Sequence, residues 1–565
     1  MKILKYILLI SIIVLIGSCQ EDFLNRPPLD KIGTESYWKT AGDLENYVLQ
    51  FYPKLPSHGS GAGMPREDAN SDNMILAVAN SVMNGERAPT PGNWIGDWEE
   101  IRSINIFFDN YQNVEAGLNT YQHYLGEAHF FRAWFYFNLV KKYGDVPWYS
   151  SALYPGSEEL MKARDPRTLV IDNILSDIDN AIQYLDTRAD IGNARLNKEA
   201  ALAFKTRVAL FEGTWQKYHA GTPFATQGAN PDKYFQACVA AAEELMGGSY
   251  TKGLYSNYYE LFGLDNMSSV REVLLYRVAN SSESMGNNVQ FYTTRRTNQM
   301  SITWELITSY LNKDGVPYDY LELAAMAKGN AFLAQIAADC DPRLKATVWI
   351  PGDLRVASAN ETFDKPFIDR GGEELCATGF QVKKFSNPYS SGAGKDWGGN
   401  SETGYILFRY AEVLLNYAEA KYELDGTVAT TQLNLLRARV RMPNFTVNPQ
   451  SADLNPVDYG YSISDELYEI RRERRVELAL EGLRQEDYQR WAAHNLFAGK
   501  RPLGYPFDPA EFPSYNPPLD TNGLIDYYKN QLPDGYQFRS GQDYLDDIPQ
   551  DELTLNPNLI QNPGW

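Results

Sequence analysis

The sequence predicts a mainly α-helical fold with long irregular loops and a few short strands. Apolar residues recur at helical spacing, most clearly where Phe130, Trp134 and Phe137 follow one another at i, i+4 and i+7. Helix-ending signals such as Gly144 close these periodic segments. Over residues 248–400 the periodicity weakens while Gly, Ser and Asn become frequent, which predicts long loops on a helical scaffold.

The individual elements follow from the same patterns, taken in chain order. Apolar periodicity, with Asn197 as a capping residue and Pro443 as a stop signal, predicts helices over 38–52, 101–113, 124–143, 169–185, 197–218, 233–246, 405–424, 431–441 and 464–495. The short apolar run 273–278 is typical of a small strand. The last 65 residues are rich in Pro, Asn and Tyr, so we expect loops that pack onto the helices.

The N-terminus carries an export signal. Lys2 and Lys5 precede an apolar run at 6–16, and small residues then lead to Cys19. The run of about ten residues is too short to span a membrane as a helix, which favours cleavage. The spacing resembles a bacterial lipobox, and this resemblance implies that Cys19 becomes the acylated first residue of the mature protein. Several acyl chains on one cysteine would anchor the protein stably in a membrane.

Composition narrows the class of function. The formal net charge of −20 argues against nucleic acid as a partner, because a phosphate backbone attracts Lys and Arg. The 38 Tyr, 11 Trp and 25 Phe supply amphipathic rings of the kind that sugar and peptide surfaces use, although many must belong to the core. Cys238, Cys340 and Cys376 form no motif, so neither a zinc site nor a disulfide framework is indicated.

Motifs for catalysis are weak throughout the chain. The glycine-rich run at 59–63 and the segment 394–396 lack the spacing of nucleotide-binding loops and are interpreted as turns. The five histidines form no H-E-x-x-H pattern, and no G-x-S-x-G elbow occurs. Neighbouring carboxylates such as Glu99 and Glu100 are interpreted as solvated surface. An enzyme would therefore need groups that only folding brings together, and we expect no cofactor and no metal.

The charged run 471–477 has two interpretations. Interleaved acids and bases could form an anion-binding stripe. Their i, i+3 spacing, as in Arg474 and Glu477, together with the apolar face of Val476 and Leu480, favours ion pairs within and between helices.

Candidate ligand-binding residues are rings and polar groups in loop-rich segments. Flat rings can stack on sugar faces, while carboxylate and guanidinium groups orient hydroxyls. The predicted set is Trp94, Tyr292, Trp304, Trp397, Asp72 and Arg87. For any single ring the alternative is a place in the core, and Trp98 is predicted to be structural.

Several segments resemble the SusD/RagB family over essentially the whole mature chain. They are RYAEVLLNYAEA at 409–420, LNLLRAR at 433–439, RERRVELALEGLR at 472–484, the tail at 548–565, EAHFFRAW at 127–134 and YGDVP at 143–147. Asp547 stands where the family more often has proline, which affects only a surface turn.

The resemblance implies a cell-surface lipoprotein of the outer membrane. Its expected fold consists of tetratricopeptide-like helical pairs in a right-handed superhelical scaffold. Its expected function is to bind oligosaccharides, without catalysis, and deliver them to a SusC-type TonB-dependent transporter. Peptide or glycopeptide cargo and a surface glycan hydrolase are the alternatives. The implied division is a signal peptide at 1–18, a tether at 19–34 and one domain at 35–565, with a helical scaffold at 35–250, a ligand-facing part at 251–403 and C-terminal helices and tail at 404–565.

Overall fold

The computed structural model describes residues 37–89, 94–391 and 393–565. The predicted signal peptide, Cys19 and the tether lie outside the described residues. The α-helices are α1 Ala41–Leu49, α2 Met64–Glu67, α3 Trp94–Asn110, α4 Gln122–Tyr143, α5 Arg167–Tyr184, α6 Arg188–Ile191, α7 Lys198–Tyr218, α8 Asp232–Gly247, α9 Tyr258–Leu261, α10 Trp304–Ile307, α11 Tyr320–Met326, α12 Gly329–Asp339, α13 Pro342–Thr347, α14 Pro388–Ser391, α15 Tyr410–Asp425, α16 Thr430–Arg439, α17 Asp465–Glu477, α18 Arg484–Arg490 and α19 Gln550–Leu555.

The strands are short and pair antiparallel. They are β1 Met74–Ile75, β2 Val273–Arg277, β3 Ser301–Ile302, β4 Leu354–Val356, β5 Glu361–Thr362 and β6 Tyr405–Arg409. β1 pairs with β3, β2 with β6 and β4 with β5. The strand predicted at 273–278 is confirmed as β2, and its partner β6 joins the middle of the chain to the C-terminal helices.

The long N-terminal helices form where periodicity and capping predict them. In α4 the rings of Phe130, Phe137 and neighbouring residues are buried, and Gly144 ends the helix at a φ of 74°. Asn197 caps α7, because its side chain accepts a hydrogen bond from the backbone N–H of Ala200 at 2.9 Å. The predictions for both helices are confirmed.

The helices pack mainly on their neighbours in the chain. Helix α4 contacts α3 and α5, α7 contacts α5 and α8, and α15 contacts α7, α8, α16 and α17. One buried apolar cluster includes residues from Trp38 to Ile548. Among the described residues no helix is long and apolar enough to cross a membrane.

Three predicted helix ranges were wrong in part. The helix predicted at 101–113 is α3, which begins at Trp94. Residues 405–409 of the predicted helix 405–424 form β6, since a run of β-branched and aromatic residues beside β2 pairs as a strand. The predicted helix 464–495 divides into α17 and α18. Leu480 and Gly482 adopt φ values of 64° and 74° between them, and these left-handed positions end a helix.

The middle of the chain contains helices that the sequence analysis did not predict. Helices α11, α12 and α13 occupy 320–347, within the stretch interpreted as loops. Helix α12 buries Phe332, Leu333 and Ile336 at helical spacing. Its small residues and flanking loops obscured that pattern.

The charged residues of α17 form a buried network. The predicted pairing within the helix is confirmed for Glu469 and Arg472, which lie 3.0 Å apart, whereas Arg474 and Glu477, predicted to pair with each other, pair with other segments instead. Arg474 Nε donates to Asp487 Oδ1 at 2.9 Å. The carboxylate of Glu473 accepts from Arg343 at 2.6 Å and from Arg437 at 2.8 Å. These pairs tie α17 to the middle and C-terminal segments. Cys238, Cys340 and Cys376 are buried free thiols.

Candidate functional site

A cleft lined by aromatic rings lies beside the start of α3. Its volume is about 530 Å³, and we call it the Trp94 cleft. Its walls come from α3, from the segment that follows α4, and from the C-terminal tail around α19. The apolar lining consists of Trp94, Trp98, Ile101, Pro147, Tyr149, Leu153, Leu160 and Leu559.

The rings of the cleft form a continuous series. The centroids of Trp94 and Trp98 are 5.5 Å apart with their planes tilted by 54°, as expected for residues at i and i+4 on one helix face. Trp98 meets Tyr149 edge to face at 5.5 Å, and Trp94 meets Tyr143 at 5.2 Å. Both indoles are only half-buried. The series is therefore packed on one side and accessible on the other.

Polar groups surround these rings. The lining includes the side chains of Glu99, Arg102, Asn105, Glu552 and Asn556. Burial and the nearby Asp551 raise the pKa of the Glu552 carboxyl. Arg102 donates through Nε to the carbonyl of Leu153 at 3.0 Å, which holds its guanidinium at the rim.

Two hydrogen-bond donors lie beside the rings, the indole Nε1 of Trp98 and the hydroxyl of Tyr149. The indole Nε1 of Trp98 is buried and finds no acceptor among the residues that the structure describes. Burial raises the pKa of Tyr149 to about 12, so its hydroxyl stays protonated at neutral pH. A ligand with hydroxyl oxygens could accept a hydrogen bond from the Tyr149 hydroxyl.

Backbone anchors hold the walls in position. Asn105 Nδ2 donates to the carbonyl of Tyr149 at 2.9 Å, which connects α3 to the following segment. On the other wall, Asn556 Nδ2 donates to the carbonyl of Lys162 at 3.0 Å, and Asn558 Nδ2 donates to that of Met161 at 2.7 Å. The cleft therefore depends on contacts between segments nearly 400 residues apart in the chain.

Of the predicted ligand residues, Trp94 alone lines this cleft, and the two polar ones are occupied elsewhere. Asp72 is buried, and its carboxylate accepts from Arg484 at 2.8 Å and from Arg475 at 2.9 Å. Burial would raise the pKa of Asp72, but the two guanidiniums outweigh it and lower the pKa. Arg87 donates to the carbonyl of Asp543 at 2.7 Å and lies 5.1 Å from the ring of Trp565. Both side chains hold segments together, which corrects their expected role.

Two predicted rings also belong to the packed interior. Trp304 is 6% exposed and stacks on Phe332 at a centroid distance of 5.8 Å. Tyr292 is 8% exposed, and its hydroxyl donates to Glu373 at 3.2 Å. The physical reason is that the loop-rich middle of the chain packs onto the helices, so these rings fill part of the apolar cluster that both share. Trp397 is exposed but contributes nothing to the Trp94 cleft.

The sequence analysis interpreted Trp98 as structural and did not single out Arg102, Asn105 or Tyr149. The i, i+4 spacing from Trp94 to Trp98 was a signal that could have placed both indoles on one face. No cluster of His, Cys, Asp and Glu within the described ranges could hold a metal ion.

Comparison with known proteins identifies the family. Residues 272–565, more than half of the chain, match the profile described as SusD family. Residues 55–210 match a second profile, described as starch-binding associating with outer membrane. SusD-like protein P2 of Formosa agariphila is 24% identical over 582 residues, covering 100% of both chains.

Solved structures share the fold. A SusD-like carbohydrate binding protein from Bacteroides fragilis matches with a TM-score of 0.71 at 22% identity, covering 93% of this chain and 100% of its own. A laminarin binding SusD-like protein matches with a TM-score of 0.58 at 19% identity, covering 94% of this chain and 100% of its own. These similarities confirm the predicted mainly helical, tetratricopeptide-like fold. The chain therefore belongs to the SusD family.

Proposed function

We propose that the protein binds an oligosaccharide in the Trp94 cleft without transforming it. The observation that carries the proposal is the pair of half-buried indoles, Trp94 and Trp98, in a cleft of about 530 Å³ with polar side chains around it. A pyranose ring has an apolar C–H face and an edge of hydroxyls. The indoles match the face, and Arg102 and Glu99 match the edge.

The family supports the same class of ligand. One profile that matches the chain is described as starch-binding, and a structural neighbour is described as laminarin binding. Both descriptions concern other proteins built on this fold.

We further propose that the protein works at the outer membrane, on the cell surface. Acylation of Cys19 would anchor it, and the matching profile describes association with the outer membrane. The oligosaccharide would pass from the cleft to a SusC-type TonB-dependent transporter. A pull-down tests the partnership. The wild-type protein should retain this transporter, and the Cys19→Ala variant, which is not anchored at the cell surface, should not.

The binding proposal is tested with purified residues 20–565. By calorimetry, we expect this protein to bind at least one of the oligosaccharides derived from starch, laminarin and xyloglucan. We expect no binding signal with a tryptic peptide mixture. Trp94→Ala should weaken binding by about 1 to 3 kcal/mol, if a sugar ring on the indole behaves as a nucleobase stacked on an aromatic side chain does. Met326→Ala removes an apolar side chain that is 73% exposed outside the cleft, and it should bind as the wild type does. Binding of peptides instead of glycans would contradict the proposal.

The hydrolase alternative depends on two carboxyl groups of the cleft. Glu99 and Glu552 both line it, and the raised pKa of Glu552 is a property that a general acid would need. We expect no product from any glycan that binds, and no effect of Glu552→Gln on the reducing ends released over time. Product release that Glu552→Gln abolishes would favour the hydrolase.

A further inference from the structure

Trp397 is an exposed ring that the cleft does not use. It is 56% exposed, whereas every other tryptophan that the structure describes is buried or half-buried. A tryptophan in water leaves a large apolar surface unburied, and aromatic rings are enriched where proteins meet ligands. The exposed position of this ring therefore needs a reason.

The segment that carries Trp397 is braced on both sides. The preceding Asp396 has a fully buried carboxylate that accepts from Arg295 Nε. Lys395 donates to Asp265 at 2.9 Å and to Glu402 at 2.7 Å. These ion pairs fix the backbone next to Trp397, so the ring is held in its exposed position. A ring held in this way loses little conformational entropy when a ligand stacks on it.

Charged groups lie directly beside the ring. The guanidinium of Arg295 lies 5.3 Å from the centroid of Trp397 and covers one of its faces. Its Nη1 donates to Glu361 at 3.2 Å. The side chain of Glu361 is itself partly exposed. We call Trp397, Arg295 and Glu361 the Trp397 platform.

The platform offers a flat apolar face with a donor and an acceptor at its edge. Pyranose rings present the complementary surface, since C–H groups lie on one face and hydroxyls lie around the ring. No residue that lines the Trp94 cleft belongs to the Trp397 platform. We propose that the Trp397 platform is a second saccharide-binding site, separate from the Trp94 cleft, which stacks one sugar ring on the open face of Trp397. This inference rests on the proposed function, because it assigns the same class of ligand to both sites.

Two sites on one protein would increase retention of a polymer. When one site holds a glycan, another segment of the same chain stays near the second site at a high effective concentration. Short oligosaccharides would fill the two sites independently, while long polysaccharides would gain from engaging both where their length permits.

The test uses maltohexaose, laminarihexaose and xyloglucan-derived oligosaccharides as probes in calorimetry with residues 20–565. For a hexasaccharide that binds, we expect the wild type to show two binding events per protein, Trp397→Ala one and Trp94→Ala one. The double variant should show none. Trp397→Phe keeps a flat ring and should retain the second event with at most about tenfold weaker affinity. Met326→Ala is the control and should show two events.

The outcomes separate the two proposals. If Trp397→Ala matches the wild type in stoichiometry and affinity, the second site is refuted while the cleft stands. If Trp94→Ala has no effect and Trp397→Ala removes all binding, the cleft is refuted and the platform is a sole site rather than a second one. If none of the probes binds the wild type, both proposals fail.

Discussion

Glu477, the last residue of α17, joins three arginines in the buried ion-pair network, and its replacement should destabilise the fold. Its carboxylate accepts from Arg343 at 3.0 Å, from Arg409 at 2.7 Å and from Arg439 at 2.5 Å. Glu477→Gln keeps the shape and removes the charge. Each of the three arginines keeps another carboxylate partner, so the cost should lie near the lower end of the range for breaking a buried ion pair, about 3 kcal/mol.

The effect should depend on pH in a defined direction. Burial would raise the pKa of Glu477, but Arg439, Arg409 and Arg343 outweigh it and hold the pKa well below its ordinary value of 4.5. Because the folded pKa is depressed, the stabilisation is present above pH 4.5 and is lost as the pH falls toward the folded pKa. The difference in unfolding free energy between wild type and Glu477→Gln should therefore shrink on acidification.

Urea unfolding followed by tryptophan fluorescence measures this difference. Asp425→Asn removes the surface pair with Lys421 and should leave the urea midpoint unchanged, because exposed pairs contribute little. An unchanged midpoint for Glu477→Gln at neutral pH would refute the account of the network. A difference that stays constant on acidification would refute the assignment of the effect to the carboxylate.

Three further predictions concern the core, the anchor and a buried acid. Trp304→Ala should lower the unfolding free energy by about 3 to 5 kcal/mol, because it leaves a cavity beside Phe332. An unchanged urea midpoint would contradict the buried position of Trp304. Cys19→Ala should move the protein from the membrane fraction to the soluble fraction, and retention in the membrane would contradict the lipid anchor. Burial raises the pKa of Glu67 to about 7 and outweighs the hydrogen bond from Tyr405, which lowers it, so the folded state favours the protonated form more than the unfolded state does. Glu67→Gln should therefore raise the melting temperature more above pH 7 than at about pH 5, and an equal change at both pH values would contradict this.

Local patterns predicted the scaffold well. The helix around Phe130 and the cap at Asn197 follow from spacing and side-chain chemistry within a few residues. The end of α17 after Glu477 depends on two residues in the left-handed conformation. One of them is Leu480, and leucine rarely adopts this conformation. The other position is Gly482, where a side chain is disfavoured because a Cβ would collide with the carboxylate of Glu67, a residue far away in the sequence. Sequence periodicity carries no information on such a contact.

Ligand residues were harder to predict because exposure is a tertiary property. Trp304 and Trp397 both lie in a loop-rich part of the sequence, yet one stacks in the core and the other faces solvent. Asp72 resembled a surface hydrogen-bonding group, but its partner Arg484 lies 412 residues further along the chain. Tyr149, the ring that meets Trp98, enters the cleft only through the packing of α3 on α4.

Calorimetric titration of residues 20–565 and the Trp94→Ala variant tests the central claim most directly. Starch-, laminarin- and xyloglucan-derived oligosaccharides serve as ligands, and urea midpoints verify that both proteins fold equally well. The account predicts saccharide binding by the wild type and a loss of about 1 to 3 kcal/mol of binding free energy at the cleft in the variant, with the midpoint nearly unchanged. Equal affinity and stoichiometry in the two proteins would contradict the assignment of saccharide binding to the Trp94 cleft.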